Sequence, residues 1–366
     1  MKIVTIIGAR PQFIKAAAVS RIIRRQHEEI LVHTGQHYDN NMSNIFFDEL
    51  SIPKPDYNLG IGSGSHAKQT AGMMIGIEEV LLKETPDYIM LYGDTNSTLA
   101  GALAASKIHI PIIHIEAGLR SFNMMMPEEQ NRILTDRISD FLFCPTEVAV
   151  NHLRNEGITK GVYLVGDVMC DAVIYYSEKM KKQTNIEYFN RLKGLFEDVK
   201  MIEKWYLATV HRAENTDSID KVKEILKAFE NFDAPVIFPV HPRTLGIVQE
   251  LNNLFSYQNI IFIEPMGYLE MLYFTKNAIK VVTDSGGLQK EAYILDTPCV
   301  TVRDQTEWVE TLYGNNNILA QPKSDDILEK VFHTIIDKAC KKAYYGEGDA
   351  SNKICDIISK DSKAKL

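Results

Sequence analysis

Short apolar runs alternate with amphipathic stretches along almost the whole chain, and that alternation limits the fold more than any other feature. Lys2–Ile7 (KIVTII) is apolar enough for a strand covered on both faces. Residues 11–25 then change to helical spacing with proline at the start. Further strands are predicted at 30–34, 88–92, 112–115, 141–144 and 162–165, and helices at 40–50, 100–107 and 128–139. Buried strands alternating with helices mean βαβ units on a parallel sheet. Near Val165-Gly166-Asp167 the pattern pauses, and a lysine-rich, weakly apolar stretch covers 177–204. It restarts at 205–210 and continues through 236–240, 260–263, 279–283 and 299–302. The length of 366 residues exceeds one ordinary core. The reading is α/β, with two Rossmann-like domains over 1–170 and 171–345 and a closing helix, 346–366, packed back on the first. Two such domains in tandem imply a central cleft at the carboxyl ends of their strands.

Composition narrows the partners. A formal net charge of -8 gives no footprint for nucleic acid. No apolar run is long enough to span a membrane, and the apolar start is broken at Gly8-Ala9-Arg10-Pro11, so no leader is expected and the cytoplasm is the expected compartment. Cys144, Cys170, Cys299, Cys340 and Cys355 form no CxxC pair and are expected to be buried thiols. No His, Asp or Glu spacing suits a metal, so neither a catalytic metal nor a cofactor is expected.

Polar residues cluster just after the strands. Gly8-Ala9-Arg10-Pro11-Gln12-Phe13-Ile14-Lys15 follows one strand and opens a helix, whose first N–H groups, with Arg10 and Lys15, suit an anion. It is not a GxGxxG, which disfavours a dinucleotide. Thr283-Asp284-Ser285-Gly286-Gly287 likewise ends a strand. Gly286 and Gly287 let the backbone approach a pyrophosphate, the Ser285 hydroxyl can donate, and Glu291, a turn into the helix, could take ribose hydroxyls.

Asp94 and Glu116 each follow a strand, and Glu128 falls in a first helical turn after Pro127. Taken singly, they read equally well as an N-cap, a solvated loop residue and a dipole-compensating acid. Jointly they suit general acid–base work. Glu128 and Arg132, four apart, are expected to meet on one helix face, with Glu129 about 100° away and of little consequence. His211 and His241 each follow a strand in the second domain and could contact phosphate, and His37 follows one in the first. His27, His66, His109 and His152 have no such context and are left to surface or packing.

These segments resemble the non-hydrolysing UDP-N-acetylglucosamine 2-epimerase family. GARPQFIK at 8–15, HTGQH at 33–37, GDTNS at 93–97, HIEAGLRS at 114–121, PEEQNR at 127–132, HRAEN at 211–215 and TDSGGLQKEA at 283–292 run in family order across nearly the whole chain. The resemblance implies a glycosyltransferase-B-type fold, a homodimer, a UDP-sugar substrate and inversion at C2 by elimination and re-addition of UDP. It places acid–base work on Asp94, Glu116 and Glu128, a sugar-side arginine at Arg132 and an active-site histidine at His211. It places nucleotide contacts at Arg10, Lys15, His241, Ser285, Gly286, Gly287 and Glu291. Where many members carry Arg-Glu after the Gln-His of an activating loop, this chain has Tyr38-Asp39. Where Asp-Thr-Thr-Glu-Arg is common, it has Asp304-Gln305-Thr306-Glu307-Trp308. There, and at Ser121-Phe122-Asn123-Met124-Met125-Met126, it is more similar to the branch acting on UDP-2,3-diacetamido-glucuronic acid. A glycosyltransferase of the same fold, a hydrolysing 2-epimerase and a non-catalytic nucleotide-sugar sensor are the competing expectations.

Overall fold

The computed structural model describes residues 1–35, 50, 52–180 and 183–364. They divide into two compact units, Met1–Ile174 with Tyr344–Leu366, and Tyr175–Ala343. The fold is the α/β one expected, with a parallel sheet in each unit.

The first unit holds β1 (Lys2–Ile7), β2 (Glu28–His33), β3 (Tyr57–Asn58), β4 (Tyr88–Tyr92), β5 (Ile112–Ile115), β6 (Phe141–Cys144) and β7 (Val162–Leu164). They lie in the order β3-β2-β1-β4-β5-β6-β7, every pair parallel. The central strands are buried along nearly their whole length because helices cover both faces, which is why they read as unbroken apolar runs. The helices are α1 (Arg10–Ile23), α2 (His66–Glu84), α3 (Asn96–Lys107), α4 (Pro127–Ile138), α5 (Glu147–Asn155), α6 (Val168–Met180), whose residues from Tyr175 on belong to the second unit, and, from the end of the chain, Ala350–Ala364. Small residues Ala100, Gly101, Ala102, Ala104 and Ala105 let α3 lie close on the sheet, and a Cβ on Gly101 would come within 2.6 Å of Leu91. The helix expected at 40–50 lies largely outside the described residues, as does His37.

The second unit holds β8 (Tyr206–Thr209), β9 (Val236–Pro239), β10 (Ile260–Ile263), β11 (Val281–Thr283), β12 (Cys299–Thr301) and β13 (Asn317–Leu319), in the order β10-β9-β8-β11-β12-β13. Its helices are α7 (Asn185–Phe189), α8 (Ala213–Thr216), α9 (Ile219–Glu230), α10 (Pro242–Phe255), α11 (Tyr268–Asn277), α12 (Gly286–Ile294) and α13 (Ser324–His333); Ala350–Ala364 is therefore α14. The core gathers Val222, Ile225, Leu226 and Phe229 of α9 against Val236, Phe238 and Val282. Removing a ring such as Phe229 would cost about 3–5 kcal/mol.

In both units the strand order reverses once, between β1 and β4 and between β8 and β11. The turns after such neighbouring strands diverge to opposite faces and leave an opening at their carboxyl ends. The turns after β1, β4, β8 and β11 carry Gly8, Asp94, His211 and Ser285. The last helix packs on α1, and the buried carboxylate of Asp171 caps it, accepting from the Ala350 amide at 3.1 Å and the Ser351 amide at 2.6 Å. One cysteine departs from expectation. Cys340 is exposed, because it lies in a short 3-10 turn outside both sheets.

Candidate active site

The first unit gathers carboxylates and cations at its switch point. Lys15, one turn into α1, meets Glu116 in a buried ion pair. Glu116 follows β5 with a backbone φ of +72°, a left-handed conformation that costs a side-chain-bearing residue energy and is held by its surroundings. It is 8% exposed, so the solvated-loop alternative fails. Gly93, at φ +63°, makes the turn after β4, and a Cβ there would stand 3.3 Å from Glu116 Oε2 and 3.5 Å from Lys15 Nζ. Asp94, next along, is ion-paired with Arg132 Nη2. It does not cap α3, whose N-cap is Thr95. Arg132 is buried, and its Nε has no hydrogen-bond partner among the described residues. Burial works against the Arg132 charge, but Asp94, Glu129 and Glu116 outweigh it and raise the guanidinium above its ordinary value.

The expected Glu128–Arg132 contact is not the one formed. Arg132 Nη1 donates to Glu129 Oε2 at 2.8 Å, and Glu128 is exposed. Glu129 is 1% exposed and also accepts from the Ser121 amide and hydroxyl and from the Phe122 amide, each at 2.9 Å. Burial raises its carboxyl, but these donors and Arg132 hold it below the ordinary range. The residue expected to be of little consequence thus ties the loop before α4 to the arginine. The physical reason is that the buried face of α4 is polar, comprising Glu129, Asn131, Arg132, Thr135 and Asp136.

The turn after β1 differs in a second respect. Gln12 Oε1 already accepts from the Gly8 and Ala9 amides at 2.7 and 3.0 Å, so these two N–H groups are not open to an anion. Gln12 Nε2 donates to Tyr92 O at 2.8 Å and to Thr95 Oγ1 at 3.0 Å, which joins this turn to the one bearing Asp94. Arg10 begins α1. Asn131 Nδ2 donates to the Asp94 carbonyl at 2.9 Å. Neither Gln12 nor Asn131 is distinguishable by type from a surface amide. Only the position of each within a quoted motif was a signal.

In the second unit the hub is Asp284, fully buried after β11. It accepts from the His211 and Arg212 amides at 3.0 and 2.9 Å and from Asn215 Nδ2 at 3.0 Å, binding the turn after β8 to the turn after β11. The His211 ring lies with Nδ1 3.6 Å from Asp284 Oδ1 and 5.2 Å from the His241 ring, centroid to centroid. Burial lowers the His211 pKa, Asp284 offsets this in part and Arg212 adds to the fall, so the neutral imidazole is favoured. His241 caps α10, its Nδ1 accepting from the Arg243 amide at 3.1 Å. Ser285 caps α12 in the same way, accepting from the Leu288 amide at 3.4 Å. A Cβ on Gly286 would collide with the Glu307 carboxylate, while Gly287 faces open space apart from Ser285 Oγ at 4.0 Å. Glu291 is buried on the same helix. Glu307 pairs with Arg303 at 3.0 Å and reaches Arg212 at 4.0 Å; burial raises its carboxyl, but the two arginines keep it below its ordinary value. Arg212, Asp284, Arg303 and Glu307 were not singled out from the sequence, although Arg212, Asp284 and Glu307 lie inside segments that were quoted. Among the described residues no group of His, Cys, Asp and Glu could hold a metal ion, and no helix is long and apolar enough to cross a membrane.

Each half is therefore a βα switch point dressed with charge: acid–base pairs in one unit, glycines, imidazoles and arginines in the other. A family model described as UDP-N-acetylglucosamine 2-epimerase matches residues 21–359. The UDP-N-acetylglucosamine 2-epimerase homolog of Methanococcus maripaludis is 52% identical over 98% of this chain and 99% of its own. The UDP-2,3-diacetamido-2,3-dideoxy-D-glucuronate 2-epimerase of Pseudomonas aeruginosa is 49% identical over 98% of this chain and 100% of its own. The crystal structure of Methanocaldococcus jannaschii UDP-GlcNAc 2-epimerase in complex with UDP-GlcNAc and UDP is 42% identical, covers 98% of this chain and 100% of that one, and superimposes with a TM-score of 0.88.

Proposed function

Because this chain belongs to the UDP-N-acetylglucosamine 2-epimerase family, whose named members are isomerases, we propose that it inverts C2 of a UDP-2-acetamido sugar, UDP-GlcNAc to UDP-ManNAc or a close derivative. The observation that carries the reading is the cluster of Asp94, Glu116, Lys15 and Arg132 at the switch point of the first sheet. A base removes the C2 proton, the C1–O bond breaks, and UDP departs with the electron pair to leave a 2-acetamidoglucal. UDP adds back at C1 while a proton is delivered to the other face of C2. C2 is weakly acidic, so the base must be close, and the two faces need two groups. Asp94, Glu116 and Glu128 supply them. Arg132, whose Nε has no partner among the described residues, steadies the sugar. Lys15, buried against Glu116, is the cation that pairs with that carboxylate.

The departing diphosphate requires donors. Arg10, Ser285, Gly286, Gly287 and His241 hold it, Glu291 takes the ribose hydroxyls, and His211 donates to the leaving phosphate from a neutral ring. The enzyme works in the cytoplasm as a homodimer, for which sedimentation of the purified protein is the check. The 49% identical relative supports a second sugar, the 3-acetamido uronate analogue. Incubation with each UDP-sugar in heavy water, followed by NMR at C2, tests both. Deuterium at C2 with both epimers present is expected. Free N-acetylmannosamine, or sugar transfer without epimerisation, would replace this reading by a hydrolase or a transferase.

A further inference from the structure

The carboxylate of Glu307 lies against the first residue of α12. A Cβ on Gly286 would collide with Glu307 Oε1 and would stand 3.4 Å from Arg212 Nη2. The acid therefore fills the space a side chain would take at the amino end of a helix of 9 residues. The first N–H groups of a helix have no partner inside it, and the helix dipole is positive there, so a carboxylate at this place is favoured. Two guanidiniums complete the surroundings. Glu307 Oε2 takes Arg303 Nη1 at 3.0 Å, and Glu307 Oε1 is 4.0 Å from Arg212 Nη2. Arg303 is buried, and its Nε has no hydrogen-bond partner among the described residues. Guanidiniums and a helix N-terminus are the partners a phosphate group takes. Here a carboxylate of the chain itself has them.

The fold holds Glu307 there from both sides. Thr306 Oγ1 donates to Gln289 Oε1 at 2.7 Å, and Lys290 Nζ lies 3.8 Å from the centroid of the Trp308 ring. Gln289 and Lys290 are buried residues of α12. The neighbours of Glu307 on either side are thus fastened to the very helix whose start its carboxylate covers. The Glu307 side chain is still 19% exposed, and Gly287 beside it faces open space apart from Ser285 Oγ. Rotation about the side-chain bonds alone would carry the carboxylate out to solvent, with the backbone left in place.

We propose that Glu307 is a built-in stand-in for a phosphate, seated at the start of α12 until the diphosphate of the ligand displaces it. This deepens the proposed function and rests on its placing of the diphosphate at Ser285, Gly286 and Gly287. Without ligand, the stand-in compensates Arg303, whose buried charge would otherwise be costly, and keeps both guanidiniums turned to the seat. With ligand it is a competitor, because two anions at one helix N-terminus repel each other. UDP therefore binds more weakly than the bare seat would allow.

Titration calorimetry with UDP and with inorganic pyrophosphate tests it. Glu307→Gln keeps the size of the side chain and removes its charge. It should bind both ligands about tenfold more tightly than wild type, the scale of a carboxylate contact at a partly buried helix terminus. Glu307→Asp stays charged but is one methylene too short to reach Gly286. It should gain affinity in the same direction, and it carries the test if the amide variant does not fold. A crystal of the wild-type protein grown with UDP should show the Glu307 carboxylate turned away from Gly286. Equal or weaker UDP binding by the variants, which a residue that merely orients the arginines would give, would overturn the proposal. So would a Glu307 carboxylate still lying on Gly286 with UDP bound. Failure of wild type to bind UDP at all would remove the diphosphate site, and this inference with it.

Discussion

Glu116 holds a left-handed backbone that glycine would adopt without strain. Asp94→Asn, Glu116→Gln and Glu128→Gln are near-isosteric. Each should lower turnover by about 10²–10⁴-fold while UDP titration calorimetry changes little; retention of most activity by all three would end the acid–base assignment. Glu129→Gln should act differently. A buried carboxylate with four donors is replaced by an amide that must turn an N–H₂ toward some of them, costing about 1–3 kcal/mol in chemical denaturation. Because the folded carboxyl lies below its ordinary value, its contribution is complete above the unfolded value near pH ~4.3 and is lost as pH falls through the folded one. Wild type and Glu129→Gln should therefore converge in stability on acidification below about pH 4. The strand ends made Asp94 and Glu116 legible in the sequence. Glu129 was not legible, because helical spacing says which residues share a face, and here the face turned inward is polar rather than apolar.

At the scale of elements, the switch-point turns admit little change. Gly93→Ala puts a Cβ at positive φ, costing about 1–2 kcal/mol, and sets it against the Lys15–Glu116 pair. Its thermal unfolding should shift down and its turnover should fall further than stability alone accounts for. Gly286→Ala collides with Glu307 and should weaken UDP binding in calorimetry, whereas Gly287→Ala, with open space, should be the milder of the two. The buried strands β1, β4, β5, β6 and β10 stand where their apolar runs ended. α2 was not read from the sequence, since its buried stripe is only Met73, Ile77, Val80 and Leu81, interrupted by Gly72 and Gly76. The edge strands β3 and β13, of 2 and 3 residues, are too short for any alternation to register.

At the scale of the molecule, charge on phosphate is to be met by side chains and amides, so turnover should survive exhaustive EDTA treatment; loss restored by Mg2+ or Zn2+ would contradict that. The connectivity of the units has a further consequence. Tyr175–Ala343 is one uninterrupted stretch, but the first unit needs α14 on α1 and Asp171 on its cap. During synthesis, the part of the chain made first is therefore the part completed last. At ~5–20 residues per second its sheet waits roughly 10–40 s for the closing helix. A released chain ending at Ala343 should carry a protease-resistant second unit and a first unit that is still cut.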